Sequence, residues 1–325
     1  MNAFSGLSRR ALLGAAAALP LAGWAQGPGY PNKPVSILVP YAPGGTTDFV
    51  ARVAATYMAA VTKGTFLVDN RPGASGTIAM AYVAKAAPDG YTLYMTEMTS
   101  TAVGALFPKL SFDPDKSFVP IAILAETPYV LVVNEKVPAA TLQEFMAYAR
   151  ANPGKLSYGS GGVGSGPHLA GELFKSLAKL DIRHVPYKGS GPALQDLLGG
   201  QIEMLITAAP TVASLAGKVK PLAVARASRL AILPALPTSA EGGLPDFVVS
   251  NWFGLSAPHG TPEAVIKTLS AAAAEAFQNP EALQKLGKGG ADPLVMGADQ
   301  ARAKVESETA KWSALIRTAG IKNDN

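Results

Sequence analysis

Short runs of aliphatic and β-branched residues alternate with stretches of helical periodicity along most of the chain. The run Val35–Val39 is typical of a buried strand, and apolar positions between Val50 and Val61 recur at helical spacing. Further strands are predicted at Phe66–Val68, Tyr91–Met95, Ile121–Leu124, Tyr129–Val133, Leu156–Tyr158, His184–Tyr187, Met204–Thr207 and Leu222–Ala225. Strands that alternate with helices in this way predict an α/β fold with mostly parallel sheets.

Several of the predicted helices carry recognisable boundaries. Thr141 and Glu144 form a capping-box pattern at the start of one helix, and Asn152-Pro153-Gly154 ends it. The other helices are predicted at His168–Leu180, Pro262–Gln278 and Ala298–Ala319.

The first 25 residues have a different pattern from the rest of the chain. Arg9-Arg10 precedes an Ala, Leu and Gly run from Ala11 to Ala22, and Gly23-Trp24-Ala25 offers small residues at a cleavage position. The run is shorter than the ~20 apolar residues that a membrane-spanning helix needs. Residues 1–25 are therefore predicted to be a secretory signal peptide. Ser8–Leu13 also fits a twin-arginine signal that lacks the usual aromatic residue.

Composition narrows the cellular setting. The sequence has no cysteine, so an exported product has neither disulfides nor a lipid anchor, and we expect the periplasm of a Gram-negative cell. Removal of the signal leaves 26 basic residues against 23 acidic ones, scattered along roughly 300 residues. This charge is too mild for a nucleic-acid partner, and the remaining length suffices for two domains in a soluble monomer.

Two glycine-rich loops each follow a strand and open a helix. They are Pro43–Asp48 and Gly159–Pro167. Consecutive glycines at a helix N-terminus expose backbone N–H groups, and the helix dipole there also favours an anion. The first loop is equally compatible with a tight turn in which Thr46 or Thr47 caps the helix and Asp48 complements its dipole. Two lobes that each present such a loop to a shared cleft would explain the repetition.

The second loop also contains a literal dinucleotide-binding pattern, at Gly159, Gly161 and Gly164. That pattern requires an acidic residue at the end of the next strand to hold the ribose. Pro186-Tyr187-Lys188 stands at that place, so no nucleotide cofactor is expected.

Enzymatic interpretations find little support. The three histidines have no metal-ligand spacing, so no metal site is expected. Ser176-x-x-Lys179 matches an acyl-serine motif but lies inside a predicted helix without its companion motifs. A periplasmic serine hydrolase stays as an alternative, with Ser160, Ser165 or Ser176 as nucleophile, although no Ser–His–acid signature is present.

Several motifs along the chain together carry a family resemblance. They are Tyr30-Pro31-x-Lys33-Pro34, Val39-Pro40-Tyr41-x-Pro43-Gly44-Gly45-x-x-Asp48, Asn70-Arg71-Pro72-Gly73, Ala87–Leu93, His168–Glu172, His184–Gly189 and Trp252–Leu255. With these motifs the chain resembles the substrate-binding receptors of tripartite tricarboxylate transporters, also called Bug receptors. The matching stretches run nearly from end to end.

The resemblance implies a type II periplasmic-binding-protein fold, with two α/β lobes around a ligand cleft. Residues 26–126 and 249–325 would form lobe 1, and residues 127–248 lobe 2. Mapped onto this sequence, the family's ligand contacts fall on Tyr41, Gly44, Gly45, Thr46 and Asp48, on Ser160, Val163, Gly164 and Ser165, and on Thr207.

The implied function is that of a non-enzymatic receptor, which captures a small mono- or dicarboxylate and delivers it to a membrane permease. A receptor that signals through a sensor kinase would have the same sequence features. The chain departs from the family pattern at Val163–Gly166, at Thr207-Ala208 and within Thr96–Phe107. These departures predict a less polar far end of the cleft, suited to an aromatic or medium-chain carboxylate.

Overall fold

The alternation of strands and helices builds one continuous sheet with helices on its faces, in a computed structural model that describes residues 29–215 and 217–322. The strands are β1 Val35–Val39, β2 Phe66–Asn70, β3 Thr92–Glu97, β4 Phe118–Val133, β5 Ser157–Ser160, β6 Arg183–Pro186, β7 Met204–Ala208, β8 Lys220–Val224, β9 Ser250–Pro258 and β10 Asp292–Met296. The predicted signal peptide at 1–25 lies outside the described residues.

The helices account for the periodic stretches of the sequence and add short connectors. They are α1 Thr46–Thr62, α2 Thr77–Ala84, α3 Val103–Leu106, α4 Leu142–Ala151, α5 Gly166–Ala178, α6 Ser190–Gly199, α7 Ala209–Ser214, α8 Glu263–Ala276, α9 Pro280–Lys288 and α10 Ala298–Ala319, with 3-10 turns at Ala74–Gly76 and Met98–Ala102. The capping residue predicted for α4 is confirmed, because Thr141 Oγ1 accepts a hydrogen bond of 3.2 Å from the Glu144 N–H.

Strand β4 joins the two halves of the sheet. Its first part, Phe118–Pro128, pairs antiparallel with β9, and its last part, Tyr129–Val133, pairs antiparallel with β7 and β8. The strands predicted separately at Ile121–Leu124 and Tyr129–Val133 are therefore parts of one continuous strand. The full strand order is β2-β1-β3-β9-β4-β7-β5-β6, with β8 and β10 also paired to β4.

Each half is an α/β lobe with a parallel set of strands, which confirms the predicted two-lobed fold. Strands β1, β2 and β3 are parallel in the first lobe, and β5, β6 and β7 are parallel in the second. The division of the chain at residues 126/127 and 248/249 stays a prediction. The C-terminal helix α10 places Trp312 and Ile316 in the same buried cluster as Phe145 and Phe174 of the second lobe.

Parallel strands place their carboxyl ends, and the loops that follow, at one edge of a sheet. The loop after β1 leads into α1, and the loop after β5 leads into α5, so each lobe offers a helix N-terminus at such an edge. None of the helices within the described ranges is long and apolar enough to cross a membrane.

Candidate functional site

The two glycine-rich loops meet across one cleft between the lobes. Its volume is about 370 Å³. The cleft is lined by Tyr41, Thr46, Thr47, Ser75, Glu97, Thr99, Val103, Leu106, Phe107, Tyr129, Gly161, Val163, Gly164, Ser165, Gly166, Pro167 and Asn251. Both helix N-termini that the sequence pointed to therefore face the same space.

A charged network behind the cleft holds the first loop. The buried carboxylate of Asp48 accepts hydrogen bonds from the Gly44 N–H at 2.9 Å, Arg52 Nε at 3.0 Å and Asn70 Nδ2 at 2.9 Å. Burial alone would raise the pKa of Asp48, but these hydrogen bonds outweigh it and lower the pKa below its ordinary value. Gly44 has a φ of 96°, a left-handed conformation that suits glycine.

The N-terminus of α1 is left open toward the cleft. Its N-cap is Gly45, which supplies no side-chain acceptor. The backbone N–H groups of Thr46 and Thr47 have no acceptor among the described residues, and both residues line the cleft. A helix end of this kind carries a partial positive charge and unsatisfied donors, which are what an anion needs.

Neutral side chains hold the second loop. Ser165 caps α5 by accepting a hydrogen bond of 3.4 Å from the His168 N–H, and the Gly164 N–H donates to His168 Nδ1 at 3.0 Å. Gly164 has a φ of 79°, and a Cβ there would lie 2.8 Å from Leu106 Cδ1, so glycine is needed at this position. The Gly166 N–H has no acceptor among the described residues and faces the cleft.

Two stacked imidazoles support this loop from behind. The rings of His168 and His184 lie 3.9 Å apart, and Ser160 Oγ lies 2.7 Å from His184 Nε2. Burial lowers the pKa of His168 to about 4, helped by the charge of Lys175. Burial and the neighbouring His168 lower the pKa of His184 to about 3, so both rings are neutral at pH 7.

Ser160 and His184 lie within hydrogen-bonding distance, as a nucleophile and its base would, but they lack the accessibility and the pKa that catalysis requires. Ser160 is fully buried and does not line the cleft, so no substrate reaches its hydroxyl. A nucleophilic serine has to be accessible to its substrate, and its base usually has a pKa near the working pH. The contact is therefore a structural one that fixes the loop.

Beside the start of α1, the cleft also contains a buried carboxylate that no local sequence pattern indicates. Glu97, at the end of β3, is 3% exposed and accepts hydrogen bonds from the hydroxyls of Tyr41, Thr47 and Thr99 and from Asn251 Nδ2. The expected less polar far end is found only in part. Val103, Leu106 and Phe107 are apolar, but the carboxylate of Glu97 lines the same cleft.

The residues predicted to contact ligand fall into two groups. Tyr41, Thr46, Val163, Gly164 and Ser165 line the cleft. Gly44, Gly45, Asp48, Ser160 and Thr207 are not part of its lining; they lie in the adjoining loops or behind them, with Asp48, Ser160 and Thr207 buried. Direct ligand contact by any of them stays a prediction.

A second cavity, of about 900 Å³, lies elsewhere, between α10 and residues around β3 and the start of β4. It includes Met80, Phe118, Arg302 and Arg317, but neither glycine-rich loop. No group of three or more His, Asp or Glu side chains within 29–215 and 217–322 is placed to hold a metal ion.

Comparison with known proteins gives consistent matches over most of the chain. Residues 50–321 match the model of the tripartite tricarboxylate transporter family receptor. Protein BugT from Bordetella pertussis is 36% identical over 297 residues, which are 90% of this chain and 91% of that protein.

Solved structures agree. An R. palustris protein with adipate has 36% sequence identity and a TM-score of 0.77, covering 90% of this chain and 100% of the other. MatC from Rhodopseudomonas palustris with bound malate has 36% identity and a TM-score of 0.73, covering 88% and 100%. The matched family model is one of receptors, so this chain is a binding protein rather than a hydrolase.

Proposed function

We propose that this chain, which belongs to the tripartite tricarboxylate transporter receptor family, captures a small organic carboxylate in its interlobe cleft and delivers it to a membrane permease. One observation carries the binding half of the proposal. The N-termini of α1 and α5 approach the same cleft from opposite lobes, with backbone N–H groups that have no acceptor among the described residues.

The charges around the cleft explain why backbone groups would hold the anion. No lysine, arginine or histidine is among the cleft-lining residues. A carboxylate entering the cleft would therefore be stabilised by N–H donors and two helix dipoles rather than by an ion pair. Hydrogen bonds to a charged acceptor contribute about 1.5–3 kcal/mol each, more than neutral ones.

The relatives support the class of ligand and the setting. One was solved with adipate and another with malate, and both of these ligands are carboxylates. BugD, at 33% identity, is described as a periplasmic binding protein. Export through the predicted signal peptide at 1–25, work in the periplasm and transfer to permease subunits are parts of the same proposal.

Position Thr46 allows a test that removes a single donor. Thr46 is the first residue of α1, where proline is tolerated because its missing N–H has no partner within the helix. Gly45 before it is extended, with a ψ of 170°, as a residue preceding proline requires. Thr46→Pro should therefore keep the fold and weaken carboxylate binding at least tenfold.

The matched control is Thr46→Ala, which keeps the N–H and removes the hydroxyl and methyl groups that Thr46→Pro also lacks. Calorimetry with a panel of organic acids, on both variants and the wild type, separates the effect of the N–H from that of the side chain. Equal affinity in wild type and Thr46→Pro would contradict the role of the helix N-terminus. Amides of the same acids should bind at least tenfold more weakly than the acids.

The transport half requires a separate measurement. Membrane vesicles that contain a tripartite-transporter permease from the same genome should accumulate the ligand only when the receptor is added. Uptake that is unchanged by the receptor would leave a binding protein with a different partner, such as a sensor kinase.

A further inference from the structure

The hydrogen bonds around Glu97 determine which polar atoms of this part of the cleft remain free for a ligand. An ionised carboxylate only accepts hydrogen bonds. The hydroxyls of Tyr41 and Thr99 donate to Glu97 Oε1, and Thr47 Oγ1 donates to Oε2 at 3.1 Å. Each hydroxyl has one hydrogen, so each of these oxygens has only lone pairs left for a ligand.

The hydroxyl of Tyr41 keeps its proton in this arrangement. Burial raises its pKa well above the ordinary value, and the charge of Glu97 raises it further. Ionisation of the phenol would place two negative groups side by side. Tyr41 is therefore the donor in its hydrogen bond to Glu97.

Asn251 adds an acceptor without a partner. Its Nδ2 donates to Glu97 Oε2 at 3.4 Å, which turns Oδ1 away from the carboxylate. Oδ1 is buried, lies on a residue that lines the cleft, and has no hydrogen-bond partner among the described residues. The opposite orientation of the amide would place Oδ1 against Glu97, so Oδ1 stays without a partner among the described residues. Buried polar atoms normally have a partner, and a bound ligand could supply it here.

This part of the cleft therefore presents acceptors and one negative charge, and no cationic side chain of the cleft compensates it. The nearby Arg52 is engaged with Asp48 behind the first loop and does not line the cleft. A second carboxylate of a ligand at Glu97 would meet like charge and lone pairs, with the neutral hydroxyl of Tyr129 as a donor nearby. A protonated amine would meet a complementary charge and several acceptors.

We propose that the ligand is a small zwitterion, whose carboxylate binds at the two helix N-termini and whose ammonium group binds at the wall formed by Glu97, Asn251 and the Tyr41, Thr47 and Thr99 hydroxyls. The inference rests on the proposed carboxylate-binding function and makes its substrate class narrower. It replaces the expectation of a purely apolar ligand body.

Matched ligands test it on the wild-type protein. 5-Aminopentanoate, hexanoate and adipate share a six-atom main chain and differ only in the end group, which is an ammonium, a methyl or a carboxylate. The same three end groups on four- and five-atom chains cover the unknown span. At the best length, calorimetry should give the amino acid an affinity at least tenfold above both partners.

Replacing the ammonium by a trimethylammonium group separates charge from hydrogen bonding. The positive charge is kept and the N–H donors are lost, so the affinity should fall at least tenfold. Equal affinity would show that the acceptors of the wall are unused and would overturn their part in the proposal.

Glu97→Gln removes the charge and introduces donors into the wall. The ratio of amino-acid to dicarboxylate affinity should fall at least tenfold in this variant. The matched control is Glu126→Gln, because Glu126 is a carboxylate of β4 with hydroxyl and arginine partners outside the cleft. Circular dichroism checks the fold, and the wild-type ligand series decides the matter if Glu97→Gln does not fold.

The outcomes separate this inference from the proposed function. Binding of adipate or hexanoate as tight as that of the amino acid would overturn the inference and leave carboxylate capture intact. Failure of every carboxylate, including amino acids, would overturn the proposed function itself.

Discussion

The two loops that face the cleft have similar sequences and are held in opposite ways. The loop before α1 is fixed by Asp48 and its charged and amide partners, and the N-cap residue of α1 is Gly45, which has no side chain to cap the helix. The loop before α5 is fixed by neutral imidazoles, and the N-cap residue of α5 is Ser165, whose hydroxyl caps the helix. Charged side chains thus support the first loop, and the N-terminus of α1 has no side-chain cap. Neutral side chains support the second loop, and Ser165 caps one N–H group of α5.

A glycine-rich strand–loop–helix pattern therefore predicts where a candidate anion site lies but not how the loop is supported. The support decides how many backbone donors stay free and under which conditions the loop keeps its shape. The open end of α1 offers the N–H groups of Thr46 and Thr47, while α5 offers that of Gly166. The four predictions below test the contrast.

The largest expected effect is a loss of stability in mild acid that originates in the second loop. The pKa values of His168 and His184 are lowered to about 4 and about 3, against 6.5 in the unfolded chain. The unfolded state therefore binds more protons below pH 6.5, and stability present above pH 6.5 declines as the pH falls toward 4. The slope is at most about 1.4 kcal/mol per pH unit for each proton.

Urea unfolding at pH 7.5, 6 and 5 measures this decline. Asp48 contributes no loss in the same window, because its pKa lies below 3.8 and its stabilisation disappears only in stronger acid. His168→Asn combined with His184→Gln keeps acceptors near the original nitrogen positions without the titration, so its stability should depend less on pH. An unchanged pH dependence in that variant would assign the effect to other groups.

Removing the charge of the first loop should have the next largest effect. Asp48→Asn keeps the shape but replaces an acceptor of three hydrogen bonds, and we expect a loss of about 1.5–3 kcal/mol of unfolding free energy. Asp69→Asn is the control, because the Asp69–Arg71 pair is largely exposed and should contribute less than about 1 kcal/mol. Similar losses in both variants would mean that the Asp48 network adds nothing to an ordinary surface pair.

Removing the cap of the second loop should cost about 1 kcal/mol. Ser165→Ala deletes the acceptor for the His168 N–H, and Thr141→Ala deletes the equivalent cap of α4, far from the cleft. Both variants should lose similar stability, but only Ser165→Ala should also weaken carboxylate binding. Thermal unfolding measures the stability of the two variants, and calorimetry measures their affinity for the carboxylate. Equal affinities in the two variants would show that Ser165 has no part in binding.

Gly45→Ser should have the smallest effect on stability, but it should also weaken ligand binding. Gly45 has a φ of −82°, and a side chain there would meet no atom within 4 Å, so Gly45→Ser can adopt the normal cap geometry. The new hydroxyl should stabilise the protein by a few tenths of a kcal/mol and occupy an N–H of α1. Binding should therefore weaken while the melting temperature rises. A rise in both would contradict the use of these donors by the ligand.

Much of the fold could be predicted because hydrophobic periodicity is local. Strand β1 and helix α10 have the predicted boundaries, and other elements differ by a few residues. Strand β4 was predicted as two strands, since Glu126, Thr127 and Pro128 interrupt its apolar run. Strand β9 was not predicted. Its Gly254 is required by the close approach of β4, because a Cβ there would lie 2.5 Å from the Ala122 carbonyl oxygen.

The candidate site could be predicted only where the backbone forms it. Glycine-rich loops before helices are visible in the sequence, and both of them line the cleft. The Glu97 wall depends on residues that are distant in the chain, with Tyr41 at 56 positions and Asn251 at 154 positions from Glu97. No local pattern marks a lone glutamate at the end of a strand as the centre of such a cluster.

The place of β9 in the sheet has a consequence for how the chain folds as it is made. β9 lies between β3 and β4, yet it is formed by residues 250–258, which are synthesised after β4 to β8. Until then β3 and the first part of β4 lack the strand that joins them, so the first lobe stays incomplete although its N-terminal strands emerged earliest. Pairing over so long a separation is slow, because the chain must close a large loop first. Nascent chains that end before residue 250 should therefore remain susceptible to proteases in the first lobe.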